Sequence, residues 1–208
     1  LPLKDEMGAI EAQSIVTSKM DFSSYRTIAF GPGLGRQADG EFLLRQLLAK
    51  LSGQTLIIDA DGLYFARHLL EELRNYKGDV ILTPHPGEMA HLTGLTVKEI
   101  EKDRLAIAKQ FAQDYGVYLL LKGHRPIITT PEGEQFINPF GNDALGKGGS
   151  GDVLTGFIAS FVAQGTSAVE ALIAASYYHA TAAEQVGKEL SNYGVTTLDI
   201  IEYVRKVL

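Results

Sequence analysis

Apolar positions along the chain fall into short continuous runs, separated by stretches in which they recur at helical spacing. Residues 26–31 (RTIAFG), 55–59 (TLIID), 79–82 (DVIL) and 117–121 (VYLLL) are runs of strand length and predict buried strands. The first ends in a glycine turn, Gly31-Pro32-Gly33-Leu34-Gly35. Between the runs, Phe42, Leu43, Leu47, Leu48 and Leu51 predict a helix over 38–52, stopped by Gly53. Further helices are expected from Gly62 to about Leu73, over about 97–114 with Gly116 as the stop, and over about 152–163, 167–187 and 197–207. Residues 126–129 and 134–138 predict a hairpin turning at Pro131-Glu132-Gly133.

Strand–helix alternation with unbroken apolar strands implies an α/β fold whose parallel sheet is covered on both faces. Ligands of such sheets bind beyond the carboxyl ends of the strands. The glycine-rich and polar clusters here each follow a strand, which marks an active-site rim without naming a reaction. No linker or shift of composition divides the chain, so residues 1–208 are read as one domain.

Composition narrows the chemistry. Hydrophobic residues make up 45% of the 208 and charged residues 21%, enough to bury a core. Cysteine is absent, which excludes disulfides, thiolate metal sites and cysteine nucleophiles and is compatible with a cytoplasmic location. The net charge is −6 and no basic run exists, so no nucleic-acid partner is expected. No apolar run is long enough for a transmembrane helix, and no membrane partner is expected.

The densest signal is Gly141-Asn142-Asp143-Ala144-Leu145-Gly146-Lys147-Gly148-Gly149-Ser150-Gly151-Asp152. It opens into a helix, so the N–H groups of Gly149, Ser150 and Gly151 can converge on an anion with help from the helix dipole. Asp152 at that helix start is either a first-turn acid or a base that takes a hydroxyl proton while the amides hold a phosphoryl group. The local pattern leaves both open, and it is not a Walker loop, because the Gly-Lys-Ser/Thr ending is missing.

Lys122-Gly123 follows a strand, so Lys122 either contacts phosphate or is a solvated surface residue; His124 reads as a loop residue. His85 stands between Pro84 and Pro86, which pin its backbone for a binding contact or merely a turn. Glu88 is either functional or a favourable first-turn acid. Asp59 and Asp61 either bind a metal or cap the next helix, with capping the preferred expectation. His68, His91 and His179 have no paired ligand spacing and read as structural or surface residues.

In order and spacing, Gly31-Pro32-Gly33-Leu34-Gly35, Asp59-Ala60-Asp61-Gly62-Leu63, Leu82-Thr83-Pro84-His85-Pro86-Gly87-Glu88, Lys122-Gly123 and Gly148-Gly149-Ser150-Gly151-Asp152-Val153-Leu154-Thr155-Gly156 resemble the NAD(P)H-hydrate dehydratases. The resemblance spans nearly the whole chain. It implies a ribokinase-like three-layer αβα fold with a mostly parallel central sheet. It also implies the activity: phosphorylation of the hydroxyl of hydrated NADH or NADPH by ADP or ATP, with ADP preferred, then loss of phosphate to restore the dihydronicotinamide.

Carried over, Asp152 would be the base, and Gly149, Ser150 and Gly151 the anion hole. Lys122, Gly123, His124, Arg125, Pro126, Asn142 and Gly151 would face the adenine nucleotide, with His124, Arg125 and Pro126 departing from the family's usual small residues and Thr. Gly33 or Gly35, His85 and Asp152 would contact the hydrated dinucleotide, and Glu88 would organise Mg²⁺ through water. Members often form tetramers, so a homo-oligomer is expected. Family members also carry a further N-terminal segment that nothing here matches, so an N-terminally incomplete domain is expected. The competing expectations are a hydroxyethylthiazole-like small-molecule kinase using the same Asp152, and a nucleotide-binding remnant of little activity.

Overall fold

The computed structural model describes residues 21–36 and 39–207. Its frame is a sheet of six strands in sequential order, β1 (Thr27–Phe30), β2 (Thr55–Ile58), β3 (Val80–Leu82), β4 (Tyr118–Leu121), β5 (Ile127–Thr129) and β6 (Gln135–Ile137). The first four are parallel, and the expected hairpin β5–β6 continues the sheet antiparallel. The sheet is thus mostly parallel.

Side chains of a strand alternate between faces, and this alternation builds the layers. Leu56, Ile58, Val80, Leu82, Leu119 and Leu121 point into one core, against helices α1 (Gly40–Lys50), α2 (Asp61–Ala66), α3 (Leu70–Arg74), α4 (Pro86–Thr93), α5 (Val97–Lys102) and α6 (Arg104–Tyr115). Ile57, Ile81, Leu120 and Ile128 point the other way, against α7 (Ser150–Ala163) and α8 (Ala168–Gly194). The central side chains are fully buried, each contributing about 1.5–3 kcal/mol of apolar burial. A satellite core, built on Ala183, Val186, Ile200 and Val204, seats α9 (Thr197–Val207) beside α8.

Several predicted helices are divided or shifted. The helix expected up to Leu73 is two short ones, α2 and α3, joined through residues 67–69. The helix expected over 97–114 breaks at Asp103, which leaves helical geometry (φ −146°) and accepts from the Ala106 N–H to cap α6. Asx side chains compete with the backbone in this way, and apolar periodicity does not register it. The long helix α8 runs past the expected end at 187 to 194, with a break at Ser191 (φ 62°). Helix α7 starts at Ser150, two residues before the expected 152, behind a 3₁₀ turn at Asp143–Gly146. Position 38, the expected start of α1, lies outside the described residues.

Candidate active site at the strand ends

Because β1 to β4 are parallel and in register, the residues after them emerge along one edge of the sheet. Asp59 follows β2, Thr83 to His85 follow β3, and Lys122 follows β4. Across this edge Lys122 Nζ donates to Asp59 Oδ1 at 2.8 Å and lies 3.7 Å from Glu88 Oε2. Asp59 is only 1% exposed, and its second oxygen accepts from Thr155 Oγ1 of α7 at 2.8 Å. Lys122 is therefore not a solvated surface residue. It is a half-enclosed cation tying together β2, β4 and α7.

Contrary to the capping expected from the sequence, neither Asp59 nor Asp61 caps α2. Ala60 occupies the N-cap position and no side chain bonds there. Asp61 instead accepts from Gly35 N–H at 2.9 Å and from Arg36 Nε at 3.1 Å, which fastens the glycine turn to the second strand end. The turn's first glycine has a separate reason. Gly31 stands at φ +124°, and a Cβ there would lie 1.8 Å from the Asp59 carbonyl, so the backbone leaving β1 presses against that leaving β2 where no side chain fits.

His85 is the N-cap of α4. Its Nδ1 accepts from Gly87 N–H (3.0 Å) and Glu88 N–H (3.2 Å), while Glu88 Oε2 accepts from His85 N–H (2.7 Å), a closed capping box. An accepting Nδ1 leaves the neutral ring's proton on Nε2, which lies 3.4 Å from Glu88 Oε1. Binding contact and turn residue are thus not exclusive for His85: the cap fixes the ring's tautomer and its place on the rim.

In the glycine loop, the Ser150 N–H donates to the Lys147 carbonyl (3.2 Å). Among the described residues no carbonyl accepts from Gly149, Gly151 or Asp152. The amides open to an outside acceptor therefore differ by one from those expected: Gly149, Gly151 and Asp152, with Ser150 already engaged. The loop is held by its own side chains. Asn142 caps the 3₁₀ turn through Ala144 N–H and donates to Ala183 O and to Asn192 Oδ1 (both 3.1 Å). Lys147 Nζ donates to the Tyr193 carbonyl at 2.8 Å and to that of Val195, so this lysine faces the end of α8. Under the loop, the Ser150 hydroxyl meets Nε2 of His179 at 3.2 Å. Burial pushes the His179 pKa down to about 4, assisted by the Lys122 ammonium and opposed by the Ser150 contact.

Two cavities flank this edge and both are lined by His85. The larger, about 840 Å³, is walled by Lys122, Gly123, His124, Arg125, Pro126, Asn142, Ser150 and Gly151, together with Asn138, Ser176 and His179. The smaller, about 300 Å³, is walled by Arg36, Ala60, Tyr64, Glu88 and His91, with the Tyr64 and His91 rings stacked at 4.6 Å. Gly33, Gly35, Gly149 and Asp152 are on the wall of neither. Asp152 is exposed in the first turn of α7 and has no hydrogen-bond partner among the described residues.

Among the described residues no three His, Asp or Glu side chains converge as a metal cage. Glu88 is a single half-enclosed carboxylate beside Lys122. That donor set suits Mg²⁺ only in its hydrated form, held through water, because Mg²⁺ gives up its waters reluctantly.

Sequence reasoning did not find Asp59 as the partner of Lys122, nor Thr155 and His179. Their partners are 63, 96 and 29 residues away, and no local pattern carries such pairings.

A mostly parallel sheet between two helical layers, with a glycine-rich loop opening the helix over its edge, fits the ribokinase-like class. A solved ribokinase-like superfamily protein from Enterococcus faecalis V583 superposes with a TM-score of 0.74, at 32% identity over 87% of this chain and 63% of that one. The match goes further than the class: the model of the NAD(P)H-hydrate dehydratase family matches residues 3–206, and the chain belongs to that family. The bifunctional NAD(P)H-hydrate repair enzyme of Moorella thermoacetica is 37% identical over 97% of this chain, which spans only 38% of that enzyme. The ADP/ATP-dependent NAD(P)H-hydrate dehydratase of Bacillus subtilis, co-crystallised with ATP and Mg²⁺, superposes with a TM-score of 0.81 at 31% identity, over 94% of this chain and 68% of that one.

Proposed function

We propose that this chain restores hydrated NADH or NADPH to the dihydronicotinamide, with ADP as the preferred phosphoryl donor and ATP as the alternative. The observation that carries the reading is the meeting, at one strand edge, of Lys122 with a nucleotide-sized cavity and the open amide of Gly151, followed in the chain by that of Asp152. Relatives named as NAD(P)H-hydrate dehydratases, one crystallised with ATP and Mg²⁺, support it.

In this reading the nucleotide occupies the larger cavity against residues 122–126, Asn142 and Gly151. Its terminal phosphoryl group faces the amides of Gly149, Gly151 and Asp152, with the Lys122 ammonium beneath. The ring hydroxyl of the hydrated substrate attacks that phosphorus, its proton passes to Asp152, and the bond to the departing nucleotide oxygen breaks. The C–O bond of the phosphorylated ring carbon then breaks as phosphate leaves, and loss of a neighbouring ring proton re-forms the double bond. His85 on the rim shared by both cavities, with Gly33 or Gly35 of the turn after β1, faces the hydrated dinucleotide. Mg²⁺, held through water by Glu88, supplies charge neutralisation to the phosphates when bound.

A cytoplasmic location, compatible with the cysteine-free sequence, is part of the proposal. Among the described residues no helix is long and apolar enough to cross a membrane. The exposed apolar side chains of Ile137, Phe140 and Tyr177 fit a homo-oligomer, with the tetramer as the specific form.

The test is a direct assay of the purified chain with chemically hydrated NADPH, Mg²⁺ and either ADP or ATP, following the return of dihydronicotinamide absorbance. Recovery with ADP supports the proposal and identifies the donor. Nucleotide turnover that leaves a stable phosphorylated alcohol would assign the chain to the small-molecule kinases instead.

A further inference from the structure

Arg104 opens α6 and sends its guanidinium to the loop that follows β4. One terminal nitrogen donates to the His124 carbonyl (2.5 Å), the other to the carbonyls of Leu121 (3.2 Å) and Lys122 (3.1 Å). Among the described residues no carboxylate pairs with Arg104, and its Nε is buried without a partner. A half-buried cation supported only by loop carbonyls is costly to keep, so its contacts with the loop are what the position is built around.

The loop depends on those contacts. Its backbone is fixed at the ends, where Lys122 N–H donates to Pro84 O (2.8 Å) and Asn138 N–H donates to Pro126 O (3.0 Å). Between them, among the described residues, no backbone–backbone hydrogen bond holds Gly123, His124 or Arg125. Arg125 nevertheless sits at φ +55°, a conformation that side chains rarely adopt without external support. Gly123, at φ +128°, is the other half of the fit: a Cβ there would lie 3.1 Å from the Arg104 guanidinium. Residues 122–126 are one wall of the larger cavity. A planar fork of several donors can gather three carbonyls at once, whereas an ammonium on the same stem is a single point charge.

We propose that Arg104, outside the cavity wall, is a positioning residue for nucleotide binding: it moulds the 122–126 loop to the donor nucleotide and sets the backbone from which Lys122 reaches Asp59. The inference rests on the nucleotide reading of that cavity and adds to it a residue that touches no ligand.

The experiment measures ADP binding by calorimetry, thermal stability, and steady-state kinetics of the full chain and of Arg104→Lys. The expected result is an ADP Kd and KM raised about tenfold or more, with kcat at saturating ADP and the KM for hydrated NADPH within about twofold of the parent. Arg104→Gln removes the charged fork while keeping a polar side chain and should raise the ADP Kd likewise, which keeps the test alive if Arg104→Lys folds poorly. Unchanged ADP affinity in both variants would overturn the inference while leaving the nucleotide reading intact. So would an equal loss of kcat, affinity and melting temperature, the signature of a purely structural residue. A parent chain that binds no ADP would overturn the nucleotide reading itself, and the inference with it.

Discussion

Lys122 and Asp59 form a 2.8 Å ion pair between residues 63 positions apart, with the aspartate side chain almost wholly buried and the lysine side chain 19% exposed. The pair joins the ends of β2 and β4, and Thr155 extends it to α7 through the second carboxylate oxygen. A Cβ on Gly151 would lie 3.4 Å from the Lys122 ammonium and 3.7 Å from Asp59, so the charge sits directly under the glycine turn that opens α7. Asp59 thus decides where the positive charge of the site stands.

Asp59→Asn should therefore lower stability and nucleotide affinity together. Breaking a buried pair costs about 3–5 kcal/mol. Lys122 keeps some water and has Glu88 at 3.7 Å, so the expected loss is nearer about 2 kcal/mol. Urea unfolding and ADP calorimetry on the variant measure both effects; unchanged ADP affinity would detach Asp59 from the site.

Asp152→Asn is nearly isosteric, and the carboxylate it replaces has no partner in the fold among the described residues. Stability should stay within about 0.5 kcal/mol of the parent, as for surface substitutions. If Asp152 is the base, turnover should fall by about 10²–10⁴-fold while ADP binding persists. Turnover that survived would return Asp152 to the role of an ordinary first-turn acid.

The glycines of the β1 turn separate two demands that look alike in sequence. At Gly31 a Cβ would collide with the Asp59 carbonyl at 1.8 Å, whereas at Gly33 it would meet nothing within 4 Å among the described residues. Gly33→Ala should cost only the left-handed backbone at φ +69°, about 1–2 kcal/mol. Gly31→Ala must also separate two strand ends and should exceed that clearly, up to loss of folding. Melting temperatures of the pair check the order.

What the sequence makes legible follows from the range of the forces involved. The strands and their layering are readable because continuous apolar runs such as 55–59 and 117–121 are local, and β2 and β4 sit within one residue of them. The breaks at Asp103 and Ser191 are not readable, because single side-chain or backbone choices override a long periodic pattern there. In the site, Lys122, His85 and the glycine loop stand out as punctuation after strands. Asp59 is visible too, but its role is not: an acid before a helix looks like a cap, and only the sheet brings Lys122 to it. Ser150 shows the same limit in reverse, since its amide is expected to be open and is engaged by Lys147.

His179 supplies a pH signature. Its side chain is buried in α8 beside Ser150 and near the Lys122 charge, and its folded pKa is about 4 against an ordinary 6.5. The unfolded chain therefore binds the proton first as pH falls, and stability decreases between pH 6.5 and pH 4. Above 6.5 both states are neutral, and below 4 both are protonated, so this residue adds no slope outside that window. Across the whole window the loss amounts to something on the order of 3 kcal/mol. Other carboxylates titrate in the same range, so the informative quantity is the difference between the parent and His179→Gln. Glutamine has no proton to gain, and urea unfolding of both proteins at several pH values from about neutral downward should show the gap between them closing as the parent weakens. Parallel stability curves would mean that His179 is protonated as readily in the fold as outside it, and that the pocket beneath Ser150 is wetter than the burial of both side chains implies.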